Sequence, residues 1–284
     1  MNEKLRSELE AVLGEPIVGM LPTSGKVQTR SGRQLFLKRG ATSKAYRCEA
    51  VGLAEIASAG EVATPEVIAV GKNYILTEYV SQQHRGDRAF FEDFGRRLAR
   101  LHRHTAERFG FREDNFIGLT PQINKPEGAE CKDWALFYLN KRLRYQFRLA
   151  EQNGYVSTRL AAEFSRFEAV AAKLLNEAKE DPSLIHGDLW SGNFLCGAGG
   201  EVVLIDPAVY YGHREAELAM THLFGGFPQS FYDAYMREYP LQAGWQRREN
   251  LYRLYHLMNH LNLFGRSYLA EVEYIISEYA SVRA

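Results

Sequence analysis

The stretch His186-Gly187-Asp188-Leu189-Trp190-Ser191-Gly192-Asn193 decides how this chain folds. A carboxylate, Asp188, is followed five residues later by an amide, Asn193, and the glycines at 187 and 192 punctuate the run as a loop. Short apolar segments flank it, Leu184-Ile185 before and Val202–Ile205 after, and both read as brief strands. The second ends on Asp206, where a strand end can hold a carboxylate rigidly opposite Asn193.

Upstream, the pattern is that of a small antiparallel sheet. A helix is predicted over about residues 2–12, a strand over 16–21, a turn at Pro22-Thr-Ser-Gly25, and a hairpin whose arms, Val27–Arg30 and Arg33–Lys38, flank Ser31-Gly32. Thr42 or Ser43 caps a helix running to about Ser58, which sets Glu49, Leu53 and Ile56 on one face. Residues 65–70 and 74–80, joined through Gly71-Lys72-Asn73, complete the sheet. Beyond Gln82 the period becomes helical: Phe90, Phe94, Leu98 and Leu101 recur every three to four residues, and helices follow at about 131–151, 157–179, 232–239 and 252–264. The expectation is a bilobal α+β protein, with a small antiparallel sheet and one helix in an N-lobe over residues 1–80 and a larger, mainly helical C-lobe over residues 81–284.

A chain of 284 residues can bury two such lobes. Its 35 basic residues balance 35 acidic ones without clustering, so no nucleic-acid partner is expected. The amino terminus lacks the apolar core of a secretory signal and no apolar run reaches the length of a membrane span, so a cytoplasmic protein without a membrane partner is expected, as a monomer. Cys48, Cys131 and Cys196 are too few and too scattered for a disulfide framework or a zinc cluster, and read as packing thiols.

Phosphoryl transfer needs a lysine on the nucleotide, acidic or amide metal ligands, and a carboxylate at the nucleophile. Asp188 and Asn193 stand at the spacing of a kinase catalytic Asp and its metal-binding Asn. Asp206 falls where the second metal-binding Asp is expected, and Lys38, ending a strand eleven residues before an inward-facing Glu49, matches the lysine–glutamate pair that positions phosphates. Singly, such residues are more often turn formers, caps or solvated charges. Their order on the right elements carries the argument. His186 reads as a residue that orients the loop. Protein kinases carry an Arg at position 187, Phe-Gly after the second Asp and a later Ala-Pro-Glu; here stand Gly187 and Pro207-Ala208, with no such tripeptide following. Control by activation-loop phosphorylation is therefore not expected, and Trp190 favours a compact hydroxylated acceptor.

With these motifs in place, the chain resembles the fructosamine kinase (ketosamine-3-kinase) family, related in fold to aminoglycoside and choline kinases. The markers are Phe116-Ile-Gly118 with Pro121-Gln122 and Asn124, Trp134, the run 186–193, Asp206–Glu217, Leu223–Phe227 and Tyr255–Gly265. The resemblance implies a protein-kinase-like fold. It also implies transfer of the ATP γ-phosphate, with Mg²⁺, to the 3-hydroxyl of a sugar joined to an amine, on small ketosamines or on glycated lysine side chains of proteins. The 3-phosphate then decomposes and restores the amine. The acceptor preference it implies is for ribulosamines and erythrulosamines, with fructosamines less favoured. Asp188 would orient or deprotonate the hydroxyl, Asn193 and Asp206 would hold the metal, and Lys38 with Glu49 would hold the phosphates. Glu78, Tyr79 and Val80 would offer backbone groups to adenine, and Ser24, Gly25 and Lys26 would meet phosphate from a loop shorter than is usual in the family. Candidates for the sugar and amine are Trp190, Tyr210, Glu215, His256, Asn259 and His260. The competing readings are a kinase for another small alcohol, of aminoglycoside or choline type, and a silent nucleotide-binding module. Such modules commonly lack the Lys, the catalytic Asp or the metal Asp, and all three are present here.

Overall fold

In the computed structural model, which describes residues 2–82 and 86–282, the chain begins with helix α1 (Asn2–Leu13) and a five-stranded antiparallel sheet. Its strands are β1 (Ile17–Val18), β2 (Ser24–Thr29), β3 (Gln34–Arg39), β4 (Val67–Val70) and β5 (Tyr74–Glu78), in the order β1-β2-β3-β5-β4. The segment predicted as a strand over 16–21 is extended only at Ile17–Val18, and Ser24 and Gly25, expected in a turn, already pair with Lys38 and Leu37. The β2–β3 turn falls at Ser31-Gly32 as predicted, with Gly32 in the left-handed region that a side chain disfavours. Leu5 and Leu9 of α1 pack with Val27, Leu35, Leu37 and Leu76 into a small core of their own.

Helix α2 (Ser43–Ser58) starts where Thr42 Oγ1 accepts from the Ala45 amide at 3.2 Å. Leu53 and Ile56 are buried beneath it, one and two turns beyond Glu49. On its other contact the helix lies so close to Pro207 that a Cβ on Gly52 would come within 3.0 Å of that ring. The helix bearing Glu49 is thereby packed directly onto the segment bearing Asp206.

The remainder is mainly helical: α3 (Arg88–Leu101), α4 (Trp134–Tyr138), α5 (Arg144–Gln152), α6 (Thr158–Glu177), α7 (Arg214–Thr221), α8 (Gln229–Glu238), α9 (Trp245–Phe264) and α10 (Leu269–Ala280). The helix predicted over 131–151 is broken. A π-helical turn at Leu139–Leu143 separates α4 from α5 and carries the buried Arg142, whose guanidinium donates to the Ile123 carbonyl and Asn124 Oδ1 at 2.6 Å each. Three two-stranded ribbons complete the fold: β6 (Asn115–Ile117) with β7 (Thr120–Gln122), β8 (Ser183–Ile185) with β11 (Tyr210–Gly212), and β9 (Phe194–Cys196) with β10 (Val202–Leu204). The loop 186–193 runs from β8 to β9, and Asp206 lies between β10 and β11, so two adjacent ribbons hold the two acidic groups face to face. No helix among the described residues is long and apolar enough to cross a membrane.

Candidate active site

The loop 186–193 is fixed from beneath by one buried carboxylate. Glu217, on α7 and fully buried, accepts the backbone N–H of His186 at 2.7 Å and of Gly187 at 2.9 Å. His102 adds a third contact through Nε2 at 3.3 Å, while its Nδ1 meets the Tyr235 hydroxyl at 2.7 Å. Burial works to raise the Glu217 carboxyl, but the hydrogen bonds from His102 and from the His186 amide hold it below its ordinary value, so it is an anion. Gly187 has a φ of +84°, and a Cβ there would lie 2.1 Å from the Ala208 carbonyl oxygen. No side chain fits at this position. His186 donates from Nε2 to the Ile205 carbonyl at 2.8 Å, and burial holds the ring neutral. It ties the loop to the strand that leads to Asp206.

On this base Asn193 donates from Nδ2 to the Asp188 carbonyl at 2.8 Å and to Oδ2 of the Asp188 carboxylate at 3.3 Å. The amide oxygen takes no part in either bond. Asp206 adopts a φ of +56°, uncommon for a residue with a side chain, and its Oδ1 lies 2.5 Å from Lys38 Nζ. Lys38 also reaches Glu49 Oε1 at 2.9 Å, so one ammonium joins the sheet, α2 and the segment after β10. Burial works against that charge, yet the Glu49 and Asp206 carboxylates hold the Lys38 ammonium above its ordinary value. Asp188 is partly buried, and that burial, reinforced by the charges of Asp206 and Glu217, pushes its carboxyl up to about 7. The group is poised to exchange a proton near neutrality.

Two cavities meet at Lys38, Glu49 and Asp206. One, of about 240 Å³, is lined by Ser24, Phe36, Leu53, Ile75, Ile205 and the segment Glu78-Tyr79-Val80. Gly25 is not part of that lining; it sits in the β2–β3 ladder, and the Lys26 ammonium lies 4.7 Å above the Tyr79 ring. The other, of about 490 Å³, contains Asp188 and Asn193 and is walled by Trp190, Asn259, His260, Phe116, Leu119, Leu263 and Phe264.

Three sequence candidates for the acceptor do not reach this cavity. Tyr210 is buried with the Arg142 guanidinium 4.0 Å from its ring centre. Glu215 is held by a two-pronged bond to Arg248, 2.7 Å on each prong, within the helical core. His256 is buried against Tyr255, and burial pushes its ring down to about 3, so it stays neutral. His256 lies one turn before Asn259 and His260 on α9 but does not join the cavity lining, and Glu215 lies on a helix that contributes nothing to it. Sequence reading missed Glu217 as the loop anchor and Leu119 and Phe264 on the wall. An acid on a helix where every other position is buried was the available signal for the first; Leu119 and Phe264, 78% and 65% exposed, carried none.

A lysine on the third strand of a small sheet, paired with a helix glutamate and facing an Asp–Asn loop and a second Asp, defines a protein-kinase-like phosphotransferase. Within that class the chain belongs to the fructosamine kinase family, whose model matches residues 17–281, and it is a kinase. It is 37% identical over 270 residues to the chloroplastic protein-ribulosamine 3-kinase of Arabidopsis thaliana, covering 92% of this chain and 80% of that protein. The crystal structure of a Thermobifida fusca protein provisionally named fructosamine-3-kinase superposes with a TM-score of 0.85 at 30% identity, over 97% of this chain and 98% of that one. The aminoglycoside phosphotransferase APH(4)-Ia, in a thermostable mutant form bound to ADP and hygromycin B, shares the fold at a TM-score of 0.62 and 13% identity, over 99% of this chain and 100% of that one.

Proposed function

We propose that this protein is an ATP-dependent ketosamine 3-kinase, acting on ribulosamine and erythrulosamine adducts in the cytoplasm. The observation that carries the reading is Asp188, raised to about 7 in a cavity walled by Trp190 and His260 that meets the cavity under the sheet at Lys38, Glu49 and Asp206. The nucleotide enters beneath β2 and β3, with adenine against Glu78-Tyr79-Val80 and the phosphates toward Lys38. Among the described residues no group of three or more His, Cys, Asp or Glu forms a ready-made metal site. The available ligands, the Asp206 carboxylate and the Asn193 amide oxygen, are hard, few and open, which fits Mg²⁺ completed by phosphate oxygens and water. Bound there, Mg²⁺ supplies neutralisation of the phosphate charge.

Asp188 orients the sugar 3-hydroxyl and takes its proton as the new O–P bond forms; the bond to the β-phosphate oxygen breaks and ADP leaves with that electron pair. His260 donates from Nδ1 to the His256 carbonyl at 2.8 Å, which leaves Nε2 as an acceptor for a sugar hydroxyl or the amine. The resulting 3-phosphate stands on the carbon next to the C2 carbonyl and β to C1, so loss of a C1 proton expels inorganic phosphate, and water then hydrolyses the C1–N imine that remains, freeing the amine. The test is ADP release from MgATP with lysines carrying ribulose, erythrulose or fructose. Turnover of the first two is expected; activity on another alcohol with none on any ketosamine overturns the reading.

A further inference from the structure

Phe224 lies in the turn between α7 and α8, with Leu223 and Phe227 buried in the core on either side of it. Its backbone is in the left-handed region at a φ of +55°, followed by Gly225 at +99° and Gly226 at +69°. For the glycines this conformation carries no penalty, whereas for a residue as bulky as phenylalanine it is strained and persists only where the surroundings impose it. Burial of the ring is not the compensation, because Phe224 remains 40% exposed. The ring instead stands edge-on to Trp190, with centroids 6.0 Å apart at 76°, and lies 4.7 Å from His260. On its own loop Trp190 closes over Gly192, where a Cβ would come within 2.4 Å of the indole. The indole therefore lies between Gly192, whose missing side chain leaves it room, and the edge of the Phe224 ring.

We propose that Phe224 is a positioning residue of the acceptor site: its strained backbone delivers a ring that braces Trp190 and His260 as one wall facing Asp188, against which the apolar face of the sugar packs. This rests on the ketosamine reading above for the identity of the acceptor, while the bracing itself does not depend on it. The nucleotide cavity has no Phe224 contact in its lining, so the effect is confined to the acceptor.

The test compares Phe224→Gly with the unaltered enzyme, and each is also made with Trp190→Phe so that the Trp190 fluorescence is obtained by difference. Three quantities are read: KM for ribuloselysine and for ATP, acrylamide quenching of the fluorescence that Trp190→Phe removes, and the melting temperature. The acceptor KM is expected to rise about five- to tenfold, the scale of one or two aromatic contacts, with kcat and the KM for ATP within twofold. Trp190 becomes more accessible to quencher, and the melting temperature holds or rises because glycine relieves the strain. An acceptor KM within twofold, or unchanged quenching, overturns the proposal. So does a lowered melting temperature with unchanged acceptor KM, which marks Phe224 as packing only. Where the unaltered enzyme turns over no ketosamine, the functional reading falls, and the quenching comparison still decides the bracing.

Discussion

Replacing Asp188 with Asn keeps the shape of the side chain and removes its charge, and the structure sets activity and stability in opposition for this change. Burial and the nearby Asp206 and Glu217 charges move the carboxyl from its usual 3.8 to about 7. At about 1.4 kcal/mol per pH unit, the ionised carboxylate costs the folded enzyme up to about 4 kcal/mol relative to the unfolded chain. Because the folded value is the raised one, the stability contributed by the protonated form is complete below pH 3.8 and is lost as the pH rises to about 7. The amide has no such dependence. Asp188→Asn should therefore be more stable than the parent by about 2–4 kcal/mol at pH 8, or roughly 5–10 °C in melting temperature, with that advantage shrinking by more than half at pH 5. Turnover should fall by about 10²–10⁴. Urea denaturation at the two pH values and ADP release measure the two effects. A variant no more stable at pH 8 than at pH 5 relative to the parent would show that the carboxylate is not electrostatically strained, and full turnover would remove it from the chemistry.

Two further changes probe the base of the loop. Gly187→Ala places a methyl group 2.1 Å from the Ala208 oxygen at a φ of +84°, and should cost at least about 2 kcal/mol in urea unfolding with loss of turnover; an unchanged midpoint would refute the close approach. Glu217→Gln takes one acceptor from the pair of backbone amides at 186 and 187, and should lower kcat by about 10² and stability by about 2 kcal/mol while the KM for ATP holds; a rise in the KM for ATP alone would place the residue in nucleotide binding instead.

Much of this was legible without coordinates because the chemistry is local in sequence. Asp188 and Asn193 sit in one loop, Asp206 ends a short apolar run, and Lys38 and Glu49 are eleven residues apart on elements whose periods differ visibly. A cap of α2 at Thr42 or Ser43 and the turn at Ser31-Gly32 follow from residue chemistry alone, and the structure selects Thr42. The break at Leu139–Leu143 was not visible, since its residues are ordinary helix formers and only the inward reach of Arg142 to Asn124 selects the wider turn.

The acceptor side shows the limit. Tyr210, Glu215 and His256 share the composition of Trp190, Asn259 and His260, and no local rule separates a tyrosine that lines a cavity from one stacked beneath a buried arginine. Residues 186–193, with Lys38, Glu49 and Asp206, pointed by themselves to a kinase, because those groups act through type and spacing, and the runs Asp206–Glu217, Leu223–Phe227 and Tyr255–Gly265 narrowed it to the family. Only the tertiary structure decided that Glu217 anchors the loop and which aromatic rings face Asp188, because direction and burial arise from packing between segments distant in the chain.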